Sequence, residues 1–220
     1  MAANHGLGRW IFATNHKDAA CSGGNGRWRE RPGISFREPK LWNEQTYQDR
    51  RDDIRHLIDA IKTDSRYKNH IDWDHLGLMG HSLGGYTVLG LAGAWSSWKT
   101  EGIKAVLALS PYSEPYNIKG TLKNLSVPVM YQGGTKDLGI TPTLHKNNGS
   151  YEQSPPPKYY VEFKGARHMS WTNLLSTAHE SITAYSLAFM NHYLKNEATS
   201  PILTKSLPDV LSLEYDVLKN

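Results

Sequence analysis

The chain has 220 residues, 39% of them hydrophobic, 21% charged and 10% aromatic. That length suits one domain at roughly 150 residues each, and it can bury a real core. Seven Trp, twelve Tyr and four Phe argue against a disordered chain, and no apolar run of roughly 18 residues is present to span a bilayer.

Twenty-five Lys and Arg against 21 Asp and Glu leave a formal charge of +4. The basic residues are dispersed, and the densest patch, Arg27-Trp28-Arg29-Glu30-Arg31, contains an acid. No nucleic-acid-binding motif accompanies the charge, so neither a nucleic acid nor an integral membrane contact is expected. Cys21 is the only cysteine, which excludes an internal disulfide and a thiolate metal site. No basic segment followed by an apolar one comes after Met1, so a signal peptide is not expected. Compartment and oligomeric state are not legible.

Short apolar runs alternate with longer amphipathic stretches, a pattern that predicts an α/β domain with a mostly parallel sheet. Trp10-Ile11-Phe12-Ala13 reads as a short buried strand, followed by a polar loop to about residue 44. Residues 45–62 read as a helix, because Tyr47, Ile54, Leu57, Ile58 and Ile61 recur at helical spacing. Leu76-Gly77-Leu78-Met79 is the next strand and residues 83–93 the next helix. Residues 104–109, 127–132 and 159–163 are further strands, and Ile182, Tyr185, Phe189 and Tyr193 mark a closing helix. The tail from Glu197 onward is weakly patterned. The whole chain, residues 1–220, reads as a single domain.

The chemistry concentrates at Gly80-His81-Ser82-Leu83-Gly84-Gly85, between a predicted strand and a predicted helix. There a Gly-x-Ser-x-Gly motif makes a nucleophile elbow. The serine sits in a strained turn, so the residues two before and two after it must be small. The turn presents its hydroxyl at the carboxyl end of the strand, and the Leu83 amide falls beside the place where an oxyanion would develop. The alternative is an incidental serine in a glycine-rich turn.

A serine nucleophile needs a base, and the base an orienting acid. In an elbow fold both come later in the chain, the acid before the histidine. His179 and His192 fall on the closing helix, and His145 lies in a polar loop. His168 follows the last strand by five residues, in Lys164-Gly165-Ala166-Arg167-His168-Met169, which makes it the preferred base. Asp137, in Gly133-Gly134-Thr135-Lys136-Asp137 after the preceding strand, is the preferred acid, with Glu114 as its rival one strand earlier.

These residues resemble the α/β-hydrolase superfamily. The chain is similar to dienelactone-hydrolase-like and platelet-activating-factor acetylhydrolase-like esterases, and more distantly to cutinase-like polyester hydrolases. The resemblance runs from about residue 10 to residue 195. It is carried by Asn15-His16-Lys17-Asp18, Arg50-Arg51-Asp52-Asp53-Ile54, the elbow, Val127-Pro128-Val129 with the Asp137 loop, and Gly165-Ala166-Arg167-His168. It implies hydrolysis of carboxylic esters by Ser82, His168 and Asp137, without metal or organic cofactor. Dienelactone hydrolases proper use a cysteine, from which Ser82 departs.

His16 and Asp18 could suggest a metal, but no third ligand is nearby, and a structural turn is the preferred reading. Trp171, three residues after His168, could line an acyl pocket, and Tyr112 is a second aromatic expected near the site. The 17 residues between Leu109 and Val127 leave no room for a cap domain, which predicts an open site for a small or surface-accessible ester. The superfamily also places a strand between the Trp10 strand and the elbow strand, with a His-Gly loop supplying the second oxyanion donor. Asn4-His5-Gly6-Leu7-Gly8 resembles that loop, yet the intervening strand has no candidate, so the amino-terminal strands look incomplete. The competing expectation is therefore a catalytically silent fragment or binding module of the same fold, lacking a complete oxyanion hole.

Overall fold

The computed structural model describes residues 10–13 and 35–217. Residues 4–8, His16, Asp18, Cys21 and residues 27–31 lie outside the described residues. One six-stranded sheet organises what is described. Its strands are β1 (Trp10–Ala13), β2 (Leu76–His81), β3 (Ile103–Leu109), β4 (Val129–Gly134), β5 (Lys158–Phe163) and β6 (Val210–Asp216), side by side in chain order. The first five run parallel and β6 pairs antiparallel with β5.

The central strands are apolar runs because both of their faces are covered. Alternation along each strand sends successive side chains to opposite layers. Val106 and Ala108 of β3, Tyr131 of β4 and Tyr160 of β5 enter one core with α2 (Leu83–Leu89), Tyr116 of α3 (Glu114–Lys119) and Leu144 of α4 (Thr141–His145). Ile54 of α1 (Gln48–Thr63) and Tyr151 of α5 (Ser150–Gln153) pack against the same core. Ala105, Leu107 and Leu109 of β3, Met130 of β4, and Tyr159, Val161 and Phe163 of β5 enter the other, against α6 (His179–Lys195). In α6 Ile182, Tyr185 and Phe189 of the predicted stripe are buried, joined by Met190 and Leu194, while Tyr193 is only partly buried.

The sheet differs from expectation in two places. The gap expected between the first strand and the elbow strand is closed, because β1 pairs directly with β2, Trp10 opposite Gly77 through Ala13 opposite Gly80. The tail is also ordered: Pro201–Leu203 form a single turn and β6 extends the sheet beyond β5. Its alternation of Leu211, Leu213 and Tyr215 with Ser212 and Glu214 is the strand signal that the flanking polar residues obscured. The helix after the elbow is shorter than predicted. It ends at Leu89 and continues as a wider turn, Gly90–Ala94, broken by Gly93 at φ 117°.

The two sides of α6 should respond differently to truncation. Phe189 is fully buried and Leu187 is 48% exposed. Phe189→Ala is expected to cost about 3–5 kcal/mol in urea unfolding, and Leu187→Ala less than about 1 kcal/mol. Equal losses would contradict the packing of this helix.

Candidate active site

The elbow forms because β2 and α2 approach more closely than side chains allow. A Cβ on Gly80 would collide with the Gly84 carbonyl, and one on Gly85 would lie 2.7 Å from the Cα of Pro111. Between them Ser82 adopts φ 55° and ψ −117°, which a non-glycine residue holds only when its surroundings enforce it. The enforcement is visible. The Ser82 amide donates to the Leu109 carbonyl at 3.0 Å, and the Ser82 carbonyl accepts from the amides of Tyr112 at 3.0 Å and Tyr86 at 3.2 Å. Leu83 opens α2, so its amide has no helical carbonyl to bond.

The loops after β4 and β5 converge on this turn. The Ser82 Oγ lies 2.9 Å from Nε2 of His168, and His168 Nδ1 lies 3.2 Å from Oδ2 of Asp137. Asp137 is 4% exposed and the His168 side chain 36% exposed, so the acid is enclosed while the imidazole reaches solvent. The Asp137 loop is pinned by its neighbours: the Lys136 amide donates to the Ala166 carbonyl and the Gly165 amide to the Thr135 hydroxyl. The loops carrying Asp137 and His168 are thereby tied to each other.

Three further side chains hold this arrangement, and the motifs gave no notice of them. Ser110, just beyond β3, donates its hydroxyl to Oδ2 of Asp137, and its Oγ lies 3.0 Å from His168 Nδ1. It is fully buried at φ 42°, a conformation costing about 1–3 kcal/mol for a non-glycine residue. His81, the variable residue inside the elbow motif, donates from Nε2 to the His168 carbonyl at 2.6 Å. Its ring centroid lies 4.8 Å from that of His168 and 6.2 Å from that of Trp171. Burial, and then the neighbouring His168, hold the His81 pKa below the ordinary 6.5. Gln132 accepts from the Trp171 indole at 2.9 Å and donates to Ser186 at 3.0 Å, which anchors the His168 loop to α6.

Other predicted residues fall elsewhere. The Glu114 carboxylate accepts from Lys146 at 2.7 Å and from Asn117 at 3.1 Å, and none of its described bonds reaches His168. His145 pairs with Glu214 at 2.6 Å and stacks on Tyr160, His179 faces the Thr172 carbonyl, and His192 donates to the Glu197 carbonyl. Tyr112 belongs to an aromatic wall with Phe36 and Trp42. Its hydroxyl donates to the Phe36 carbonyl at 2.7 Å, and burial pushes its pKa up to about 12. On α1, Arg50 donates to the Thr87 hydroxyl and Arg51 to the Asp52 carboxylate. Met169, Leu174 and Leu175 make an exposed apolar rim in the chain just after His168. No helix among the described residues is long and apolar enough to cross a membrane.

A serine elbow at the carboxyl edge of a mostly parallel sheet, with an acid and a histidine on the loops of later strands, defines the α/β-hydrolase class. Within that class the chain matches the PET hydrolase-like family over residues 44–205, and it belongs to that family. It is similar to cutinase est2 of Thermobifida alba, with 28% identity over 144 residues, 64% of this chain and 43% of that protein. It is also similar to cutinase 1 of Thermobifida cellulosilytica, with 26% identity over 66% of this chain and 50% of that protein. A third relative is the bis(hydroxyethyl) terephthalate hydrolase of Streptomyces coelicolor, 25% identical over 64% of this chain and 41% of that protein. The chain thus spans half or less of the length of these curated relatives. The cutinase-like side of the sequence resemblance is the one that family membership supports.

The depressed His81 pKa has a consequence for stability. As pH falls below about 6.5, the unfolded chain takes up this proton before the folded one, so the contribution is intact above that value and is lost on acidification. In His81→Gln, where an amide replaces the ring donor, the unfolding free energy is expected to fall less steeply between about pH 6.5 and 5 than in wild type. Parallel curves from chemical unfolding would exclude His81 as the source.

Proposed function

We propose that the chain is a cofactor-independent serine hydrolase of carboxylic esters. The observation that carries this reading is the 2.9 Å approach of the Ser82 hydroxyl to His168 Nε2 on a strained elbow that exposes the serine. His168, with Nδ1–H turned toward Asp137, leaves a lone pair on Nε2 to take the serine proton. As that proton leaves, Oγ attacks the ester carbonyl and the carbonyl electrons move onto oxygen. The Leu83 amide donates to this oxyanion.

Collapse of the intermediate breaks the bond to the alcohol. His168 returns the proton to the departing oxygen and leaves an acyl-serine. Water enters by the same route in reverse, and carboxylic acid is released. Throughout, Asp137 stays ionised, fixes the tautomer and stabilises the imidazolium. Its enclosure beside a reachable imidazole suits these two roles.

The substrate proposed is a small or surface-accessible ester rather than a lipid held beneath a lid. The short α3 and one further turn are all that separate β3 from β4, and His168 is open to solvent. The apolar rim of Met169, Leu174 and Leu175, with Trp171 anchored behind it, suits an ester whose acyl or alcohol group is itself apolar. Relatives named cutinase and bis(hydroxyethyl) terephthalate hydrolase support ester chemistry of this kind.

Two experiments test the assignment. A fluorophosphonate probe should label wild type and leave Ser82→Ala unlabelled, and equal labelling of both would sink the nucleophile. On a soluble chromogenic ester, Asp137→Asn is expected to lower kcat by about 10⁴, whereas Glu114→Gln should stay within about threefold of wild type. The opposite ordering would move the acid to Glu114.

A further inference from the structure

Asp137 and His168 do not meet as an isolated pair. Ser110 Oγ, Asp137 Oδ2 and His168 Nδ1 form a closed triangle, in which Oγ is nearer to Nδ1, at 3.0 Å, than Oδ2 is, at 3.2 Å. A hydroxyl has one proton and two lone pairs. Here the proton is given to the Asp137 carboxylate, so only lone pairs face the imidazole. The ring N–H is therefore shared between two acceptors, and the carboxylate itself keeps the hydroxyl turned the right way.

The backbone supports a reason for serine at this position. Ser110 has φ 42°, in the region that favours glycine, and its amide is held by the Gln132 carbonyl at 2.8 Å. Glycine would suit that conformation better and would carry no hydroxyl. The side chain is fully buried, so no solvent competes for its bonds.

We propose that Ser110 is a positioning residue for ester hydrolysis, holding the His168 ring and stabilising its protonated form through a hydrogen bond at Nδ1. This rests on the hydrolase reading above. The charged or titratable groups facing the ring are Asp137 from the loop after β4 and His81 from β2; Ser110 comes from the end of β3. Hydrogen bonding to the charged form of a group favours that form. Losing Oγ therefore makes the imidazolium harder to form, which slows the step in which His168 takes the serine proton.

The test compares Ser110→Ala and Ser110→Gly with wild type on a soluble chromogenic ester, across pH. Glycine removes the hydroxyl while suiting the local backbone, so a folding defect and a hydroxyl effect separate. Both variants are expected to lose about 10–100-fold in kcat with little change in KM, the size of one hydrogen bond to a charged group. The acid limb of kcat/KM should move to lower pH, and the low-field proton resonance of the His168 ring should shift in both. Wild-type kcat or an unmoved acid limb in Ser110→Gly would overturn the role, as would a loss that follows lowered unfolding temperatures in both variants. Fluorophosphonate labelling of wild type distinguishes the two levels. A labelled wild type with unaffected Ser110 variants overturns the positioning role alone, and an unlabelled wild type overturns the hydrolase reading with it.

Discussion

The close approach of β2 and α2 around Ser82 is the constraint on which the remainder of the site depends. Gly80 lets the strand and helix backbones come within a distance that its Cβ would block, and Gly85 leaves the same clearance for Pro111 beyond β3. That proximity forces the serine into a left-handed conformation that its own preferences oppose. Its backbone then serves as a junction, because the Ser82 amide and carbonyl bond the chain on either side of Ser110, at Leu109 and Tyr112. The loop that carries Ser110 is positioned by the elbow itself. Any relaxation of the serine turn would move Ser110, and with it the side of Asp137 that Ser110 touches.

The opposite side of the site is built from the parallel register of β3, β4 and β5. Adjacent strands end side by side, so the loops after them lie within hydrogen-bonding reach of one another. This explains how residues 55 or more positions from Ser82 meet it without a long structural detour. The enclosure of Asp137 is a consequence of the same packing: the Ala166 turn closes against Gly134, where a Cβ would meet the Ala166 side chain at 2.7 Å. His168 is held from behind by His81, so the elbow motif contributes the Ser82 hydroxyl and also a clasp on the histidine loop.

The two faces of the sheet divide labour. One carries a dense aromatic core, in which Trp42, Tyr86, Trp98 and Tyr116 are fully buried and bond through their polar ends. It supports the elbow helix from beneath. The other carries α6, which steadies the histidine loop through Ser186, Gln132 and Trp171. Packed layers cover both faces and leave the rim open, where Leu138 and Leu174 are the most exposed large apolar side chains among the described residues.

Local signals determined a good deal. Apolar runs located four central strands, helical spacing located α1 and α6, and Gly-x-Ser-x-Gly located the elbow, because each reflects chemistry among residues near one another in the chain. Their places just after predicted strands singled out Asp137 and His168 in the same way. What lay beyond that reach depended on pairing between distant segments. The direct contact of β1 with β2 and the antiparallel β6 are decided by which backbone edges find partners: the apolar run of β1 does not name its neighbour, and the mixed polarity of β6 obscures the strand itself. Ser110 and His81 were invisible as participants, since a serine after a strand and a histidine inside a motif look ordinary until folding sets them against His168. The sequence by itself determined the strands, the elbow and the loops that carry Ser82, Asp137 and His168; only the tertiary structure decided their partners, because hydrogen bonds form between neighbours in space rather than along the chain.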